Sequence, residues 1–342
     1  MPISLLRGGV SKIRSLCGPL WRRGARDEDP LTPAELAALN NKFFGYELAR
    51  ALADALPRRE GLSPQTVNLV CKPSTQADLE ADWVAYWAGE LHIPVLFHRK
   101  LWELCYVLQA LWERGCLEEG RRGLAFGCGR EAIASYLAAR GVFVTATDLA
   151  PQDARAQGWV GTQQHAGSTD YLYYDHLCDR AEFDRRVSWR SVDMNAIPAD
   201  LRDYDFCWSV CAFEHLGSIE QGLSFVENAM ATVKSGGIAV HTTEFNYLFE
   251  DKTMSKGSTV LFLRRHFEEL RARLIARGHH VEILDFDVGA KALDRFIDTA
   301  PFPVGPRSNL LRFWQETVHI KVAVGGYPAT CYGLIIRRGE AA

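Results

Sequence analysis

Two glycines and one aspartate have the types and spacing of a nucleoside-binding site. Gly127-Cys128-Gly129 follows the apolar run GLAF, and Asp148 ends the next apolar run, VFVTATD. Glycines after a strand let the backbone approach a ligand without a Cβ clash. A carboxylate about 20 residues further on can accept hydrogen bonds from ribose hydroxyls. The pattern therefore predicts a nucleoside-type cofactor at this loop, with a purely structural turn as the alternative.

A dinucleotide competes for the same loop, because Gly127, Gly129 and Ala132 also satisfy G-x-G-x-x-A. Two features argue against it. The last two strand-like runs of the chain read as a hairpin, which a classical dinucleotide-binding sheet lacks. In addition, the strand DFCWSV leaves through residues 210–216, which include Glu214 and His215, at the edge where ligands bind in open parallel sheets.

Acidic and basic side chains that could handle protons follow two predicted strands. Glu214 and His215 come directly after DFCWSV, and a histidine or carboxylate near a hydroxyl is suited to general-base work. His241 and Glu244 belong to a second polar cluster with Thr242, Thr243 and Asn246 at the end of IAVHTT. The sequence predicts Glu214, His215, His241 and Glu244 as catalytic candidates. It leaves open that Glu214 orients a turn, that His215 only lines the cofactor, and that His241 is a buried core histidine.

Short apolar runs alternate with amphipathic helical segments from residue 123 onward. That alternation predicts an α/β fold with a doubly wound, mostly parallel sheet. The final runs are joined by Gly325-Gly326-Tyr327-Pro328, a connection too short for a parallel crossover, so they form an antiparallel hairpin. We expect a basic leader over residues 1–30, a helical N-terminal extension or cap over 31–120, and the catalytic domain over 121–342. An insertion at about 285–317 is long enough to form part of an acceptor pocket.

The overall composition argues against several kinds of partner and site. The net charge of −3 gives no reason to expect a nucleic-acid partner. The nine cysteines include no CxxC pair, so neither a zinc site nor a redox motif is indicated; buried free thiols in a reducing cytoplasm are expected. A divalent metal held by His215, Glu244 and His319 lacks local ligand spacing, and no metal is predicted. The basic residues of the leader fit either a solvated tail or contact with an anionic membrane surface.

These motifs together resemble the class I S-adenosylmethionine-dependent methyltransferases, over about residues 95–342. FGCGRE resembles their first motif, Asp148 their ribose-binding acid, VDMN (residues 192–195) their adenine-flanking motif, and DYDFCWSVCAFEHLG their fourth motif. The resemblance implies that S-adenosylmethionine is the cofactor, that Asp193 accepts from its adenine amino group and that Met194 packs on the ring. The implied cofactor residues are Phe126, Gly127, Cys128, Gly129, Asp148, Leu149, Asp193, Met194 and Val210.

FHRKLWELCYVLQAL and HTTEFN are similar to a bacterial subgroup that serves glycan or secondary-metabolite biosynthesis. This resemblance implies that Trp102 and Tyr106 cover the cofactor, although packing of one helix face explains them equally. It also implies a sugar or glycan hydroxyl as the methyl acceptor. N-, C- or O-methylation of a small metabolite stays open, as does a non-catalytic nucleotide-binding scaffold, and the oligomeric state is not predicted.

Overall fold

A computed structural model describes residues 32–57, 59–153, 155, 164–299 and 318–340. The expected leader and residues 300–317 of the expected insertion lie outside these ranges. The helices are α1 (Pro33–Asp54), α2 (Gln76–Leu79), α3 (Asp82–Glu90), α4 (Arg99–Trp112), α5 (Ile133–Ala139), α6 (Arg180–Arg186), α7 (Ile219–Ala229), α8 (Arg264–Ala276) and α9 (Ala292–Arg295). The strands are β1 (Lys72–Pro73), β2 (Arg122–Ala125), β3 (Phe143–Asp148), β4 (Val187–Ser191), β5 (Tyr204–Val210), β6 (Val233–Asn246), β7 (His280–Val281), β8 (Ile297–Asp298), β9 (Lys321–Val324) and β10 (Tyr327–Arg337).

The strands form one mixed sheet. Its order runs β4-β3-β2-β5-β6-β10, with β2 to β6 parallel and β10 antiparallel to β6. The turn at Gly325-Gly326 joins β9 to β10 as an antiparallel hairpin, and both glycines have positive φ. The α/β class and the terminal hairpin predicted from the sequence are confirmed. Strand order reverses at β2 and β5, which brings the loops after these two strands together at the carboxyl edge.

Helices cover both faces of the sheet. On β10, Tyr332 stacks on Phe267 of α8, with ring centroids 4.3 Å apart. Its neighbour Gly333 lies against the ring of Tyr106 in α4, where a Cβ would come within 2.2 Å of ring carbon. Because successive strand residues point to opposite faces, α4 and α8 lie on opposite sides. The N-terminal extension is thus packed directly on the sheet, and α4 touches β5, β6 and β10.

The extension also contributes a strand, which the sequence did not indicate. β1 pairs with residues 332–333 of β10. The short strands β9 and β7 pair with the same edge of β10, before and after these two residues. Helix α1 begins with Thr32 as N-cap, Pro33 in the first turn and a reciprocal bond between Thr32 and Glu35.

Helix α8 begins only at Arg264, because the apolar run TVLFL before it (residues 259–263) is extended. Phe262 N–H donates to the carbonyl of Glu244, and Asn246 N–H donates back to the carbonyl of Phe262. Pairing with the end of β6 therefore overrides helix formation in this β-branched and aromatic segment. No helix among the described residues is long and apolar enough to span a membrane.

Candidate active site

The glycine loop closes tightly behind β2. Gly127 and Gly129 have φ of +56° and +53°, a region that side-chain-bearing residues rarely adopt. A Cβ on Gly127 would lie 2.8 Å from the Cβ of Ala212, and one on Gly129 would lie 2.9 Å from the carbonyl oxygen of Gln164. Both positions therefore require glycine. This loop, called the cradle below, has no room for a side chain at either glycine.

Asp148 ends β3 beside this cradle. Its carboxylate accepts from the backbone N–H of Leu149 at 2.9 Å, of Gly129 at 3.2 Å and of Ala166 at 3.4 Å. The side chain keeps 12% exposure. The backbone donors hold the carboxylate in place next to the glycine loop, where an acceptor for ribose hydroxyls is required.

A third segment, which the sequence analysis missed, closes the cradle. His165 is buried, and its Nε2 lies 2.7 Å from the carbonyl oxygen of Leu149. Because a carbonyl only accepts, Nε2 carries the proton. The carbonyl of His165 in turn accepts from Arg130 Nε at 3.2 Å. His165 thus ties the loop after β3 to the glycine loop. It stands in a stretch without regular periodicity, so only its residue type could have drawn attention to it.

Asp193 and Met194 lie on the other side of the cradle. Met194 is buried, and its sulfur would lie 3.2 Å from a Cβ on Gly127. Asp193 accepts from the N–H of Asn195 at 2.9 Å and pairs with Arg155 at 3.0 Å, with 30% of its side chain exposed. An apolar side chain and a carboxylate next to each other suit the face and the amino edge of an adenine ring.

The remaining predicted cofactor residues act through their backbone or lie in the core. Cys128 N–H donates to the carbonyl of Thr147, and burial raises the pKa of its thiol, which stays protonated. Phe126 packs edge-on against Phe225 in the core, with centroids 5.2 Å apart. Val210 is buried opposite Thr242. Leu149 is partly buried and contributes the carbonyl that His165 binds.

Glu214 and His215 leave the end of β5 in a single turn of 3₁₀ helix. Glu214 is buried and accepts from Thr243 Oγ1 at 3.1 Å. His215 Nδ1 lies 2.8 Å from the carbonyl oxygen of Ser258, and Nε2 lies 3.5 Å from Glu214 Oε1. The carbonyl requires a proton on Nδ1, so the neutral ring has its lone pair on Nε2. The arrangement can take up one proton at Nε2 and stabilise the resulting cation.

His241 does not join the polar cluster that the sequence predicted. It is fully buried, lies 2.8 Å from Ser209 Oγ and contacts the rings of Phe213 and Phe225. Burial lowers the pKa of its ring to about 3. Strand alternation sends His241 to the α7 face and Glu244 to the α4 face. The open alternative of a core histidine is therefore what the structure has.

Glu244 is part of a buried ionic cluster on the α4 face. It pairs with Arg99 at the start of α4, and Lys100 lies 3.1 Å from Glu103. Burial opposes ionisation of Glu103, but Lys100 and Arg99 outweigh it and lower its pKa. Glu244 Oε2 and Arg99 Nε have no hydrogen-bond partner among the described residues, although both are buried. This ion pair thus has one acceptor atom and one donor atom without a hydrogen-bond partner among the described residues.

Two groups of metal-ligating residue types share Cys211. They are Glu103, Cys211 and Cys331, and Cys211, Glu214 and Glu244, each with ligand atoms within 4.8 Å of one another. Burial raises the pKa of both thiols, to about 11 for Cys331, so they are protonated at neutral pH. Arg99 already pairs with the carboxylate of Glu244, and Lys100 pairs with that of Glu103. The arrangement is that of an ionic cluster with internal cations and does not suit a divalent ion.

Trp102 and Tyr106 pack in the core above β10 and β1. Both are fully buried and stack with centroids 4.7 Å apart. Trp102 Nε1 donates to Asp78 at 2.9 Å, and Tyr106 Oη donates to the carbonyl of Val70 at 2.9 Å. β10 lies three strands from β2, about 14 Å at ~4.8 Å per strand. Their placement favours the helix-packing interpretation that the sequence had left open.

Comparison with known proteins identifies the enzyme class. Residues 124–241 match a protein family described as a methyltransferase domain. The match covers about a third of the chain and contains the glycine loop, Asp148, Asp193 and Glu214. No curated protein sequence matches the chain. The cradle, the acid beside it and this match define an S-adenosylmethionine-dependent methyltransferase, and S-adenosylmethionine is the cofactor.

The chain also has distant similarity to solved structures, of which three follow. The chain is 16% identical to the [4+2]-cyclase SpnF, over 80% of this chain and 98% of that one, with a TM-score of 0.45. A methyltransferase from Aquifex aeolicus is 18% identical over 67% and 88%, with a TM-score of 0.35. Phosphoethanolamine N-methyltransferase 2 of Haemonchus contortus, solved with S-adenosylmethionine, is 15% identical over 68% and 52%, with a TM-score of 0.38.

Proposed function

We propose that this enzyme transfers the methyl group of S-adenosylmethionine to a hydroxyl of a sugar or glycan intermediate. The observation that carries the proposal is the Glu214–His215 pair. The sulfonium already activates the methyl group, so the protein has to position the acceptor and, for a hydroxyl, remove its proton.

His215 meets the requirements of the base. Its Nδ1–H is directed to the Ser258 carbonyl, so Nε2 is the ring nitrogen that would accept the hydroxyl proton. Glu214 Oε1, 3.5 Å away, stabilises the imidazolium that forms. The pair also lies close to the cofactor cradle, because Ala212, three residues before His215, touches the space above Gly127.

The ionic cluster on the α4 face supports a polyhydroxylated acceptor. A hydroxyl group can donate to Glu244 Oε2 and accept from Arg99 Nε, the two buried atoms without partners among the described residues. Buried polar atoms that lack partners cost free energy, so a ligand that supplies both bonds is favoured. Neighbouring sugar hydroxyls have this combination of donor and acceptor.

The test uses the full chain, deuterated-methyl S-adenosylmethionine, and a panel of nucleotide sugars, lipid-linked glycans, amines and carbon acids. We expect mass transfer to a sugar or glycan hydroxyl. His215→Asn should lower kcat by ~10²–10⁴-fold and leave cofactor affinity unchanged. His280→Asn is the matched control, because His280 is exposed and pairs with Arg337 of β10, which lies opposite Ile238 near the start of β6, at the other end of the sheet.

Efficient methylation of an amine or carbon acid with sugars untouched would refute the acceptor class. Normal turnover of His215→Asn at neutral pH on a hydroxyl acceptor would refute the role of His215 as the base, and would leave the acceptor class untouched. The two outcomes are separate, because the first concerns the product and the second the rate.

A further inference from the structure

A short segment between β6 and α8 runs beside the turn that carries the proposed base. We call residues 255–262 the bracing segment. Gly257 N–H donates to the carbonyl of Gly217 at 2.9 Å, and Val260 N–H donates to the carbonyl of Glu214 at 2.9 Å. Backbone hydrogen bonds therefore tie the bracing segment to the turn on both sides of the base.

The far end of the bracing segment is fixed in the core. Phe262 is fully buried, and its backbone hydrogen bonds join it to the end of β6. Its ring centroid lies 5.0 Å from that of Phe213, and a Cβ on Gly222 of α7 would come within 2.6 Å of the ring. Close packing of this kind leaves little room for movement. The bracing segment thus presents its atoms to the base from a rigid support.

Two oxygen atoms of the bracing segment face one nitrogen of the His215 ring. The carbonyl oxygen of Ser258 lies 2.8 Å from Nδ1, and Oγ1 of the buried Thr259 lies 3.0 Å from the same nitrogen. Because the carbonyl only accepts, Nδ1 carries the proton, and the Thr259 hydroxyl oxygen is its second acceptor. One N–H is therefore shared between two acceptors.

The other ring nitrogen, Nε2, is the competing position for this proton. Glu214 Oε1 lies 3.5 Å from Nε2, beyond the usual length of a hydrogen bond, whereas both oxygens at Nδ1 lie within it. The neutral ring therefore keeps its proton on Nδ1. Without the Thr259 hydroxyl, one neutral carbonyl would compete with a charged carboxylate, and a charged acceptor forms the stronger bond once the distance closes.

We propose that Thr259 is a positioning residue for the base of the methyl transfer. Its hydroxyl and the Ser258 carbonyl together hold the His215 proton on Nδ1, so that Nε2 takes the proton of the acceptor hydroxyl. Once Nε2 has taken that proton the ring is a cation, and the bonds from Nδ1–H become stronger. This inference rests on the proposed role of His215, and Thr259 acts through that ring.

The test is NMR of the full chain with ¹⁵N-labelled histidine, at a mildly alkaline pH at which imidazole rings are neutral. The ¹⁵N shifts show which ring nitrogen of His215 carries the proton, and His215→Asn assigns the signals. We expect Nδ1–H to predominate in the unaltered chain. In Thr259→Val the ratio of Nε2–H to Nδ1–H should rise roughly threefold to tenfold, as expected for one lost hydrogen bond. Thr259→Ser should restore the original ratio.

Turnover is the second readout, on a hydroxyl acceptor from the nucleotide sugars and lipid-linked glycans. Thr259→Val should lower kcat about tenfold, because the lost bond is to a ring that becomes charged. The KM of the acceptor and the Kd of S-adenosylhomocysteine should not change. Thr232→Val is the matched control: it removes a buried hydroxyl that donates to the carbonyl of Ala229 at 2.7 Å, just before β6, whose opposite end carries the site.

Predominance of Nε2–H in the unaltered chain would overturn the proposal. So would a Thr259→Val protein that melts normally and has either an unchanged tautomer ratio or an unchanged kcat. Thr259→Ala removes the same hydroxyl with a smaller side chain and replaces the valine variant if that one does not fold. Normal turnover of His215→Asn would overturn the proposed base itself, whereas slow His215→Asn with normal Thr259→Val would overturn only the role of Thr259.

Discussion

Replacing Asp148 is the sharpest perturbation of the cofactor site. The carboxylate is held by three backbone N–H groups and keeps enough exposure to reach a ligand. In the complex we expect it to accept from two ribose hydroxyls. Each hydrogen bond to a charged group contributes ~1.5–3 kcal/mol, so Asp148→Ala should lose about 3–6 kcal/mol of binding free energy. At about 1.4 kcal/mol per tenfold, Kd should rise by about 10²–10⁴-fold.

The assay is calorimetric titration of the full chain with S-adenosylhomocysteine. Asp148→Asn keeps the shape and one acceptor oxygen but loses the charge, so its Kd should rise less than that of Asp148→Ala. Asp200→Ala is the control, because Asp200 is exposed and pairs with Arg190 on the surface. Thermal melting of each variant separates lost binding from lost folding. Unchanged affinity in a folded Asp148→Ala protein would show that the ribose lies elsewhere.

Three further perturbations follow from the structure. Gly127→Ala places a Cβ 2.8 Å from the Cβ of Ala212 at a residue with positive φ. We expect this variant to lose ~1–2 kcal/mol of stability, measured by thermal melting. Its Kd for S-adenosylhomocysteine, measured by calorimetry, should rise more than tenfold. Burial lowers the pKa of His241 from 6.5 to about 3, so the unfolded chain binds a proton at a higher pH than the folded chain does. The free energy of unfolding should therefore fall as pH drops from 6.5 toward 3. In urea titrations, His241→Gln should reduce this dependence of stability on pH. Trp102→Phe loses the bond to Asp78 and should lower stability by ~1–3 kcal/mol with cofactor affinity unchanged; weaker cofactor binding instead would mean that Trp102 covers the cofactor.

The local patterns of the sequence were sufficient for much of the fold. Alternating runs predict the parallel strands, because each strand and helix must bury one apolar face. The short Gly325-Gly326 connection predicts the antiparallel hairpin. These features depend on residues close together in the chain.

Features that depend on distant residues were not predictable. Lys42 and Asp298 are 256 positions apart, and no local signal indicates that a lysine in the middle of α1 is buried. β1 has only two residues and forms because β10 offers a free edge. The separation of His241 from Glu244 was implicit in strand alternation, since residues three apart on a strand face opposite sides. His165 comes from a stretch without a pattern, and only the tertiary contacts with Leu149 and Arg130 show its position.

The most direct test of the cofactor site is a crystal structure of the protein soaked with S-adenosylhomocysteine and NAD together. Our account predicts S-adenosylhomocysteine at the Gly127–Gly129 loop, with its ribose hydroxyls within hydrogen-bond distance of Asp148 and its adenine beside Asp193 and Met194. A dinucleotide at that loop, with its pyrophosphate on the glycines and S-adenosylhomocysteine absent, would contradict the assignment of this protein as a methyltransferase.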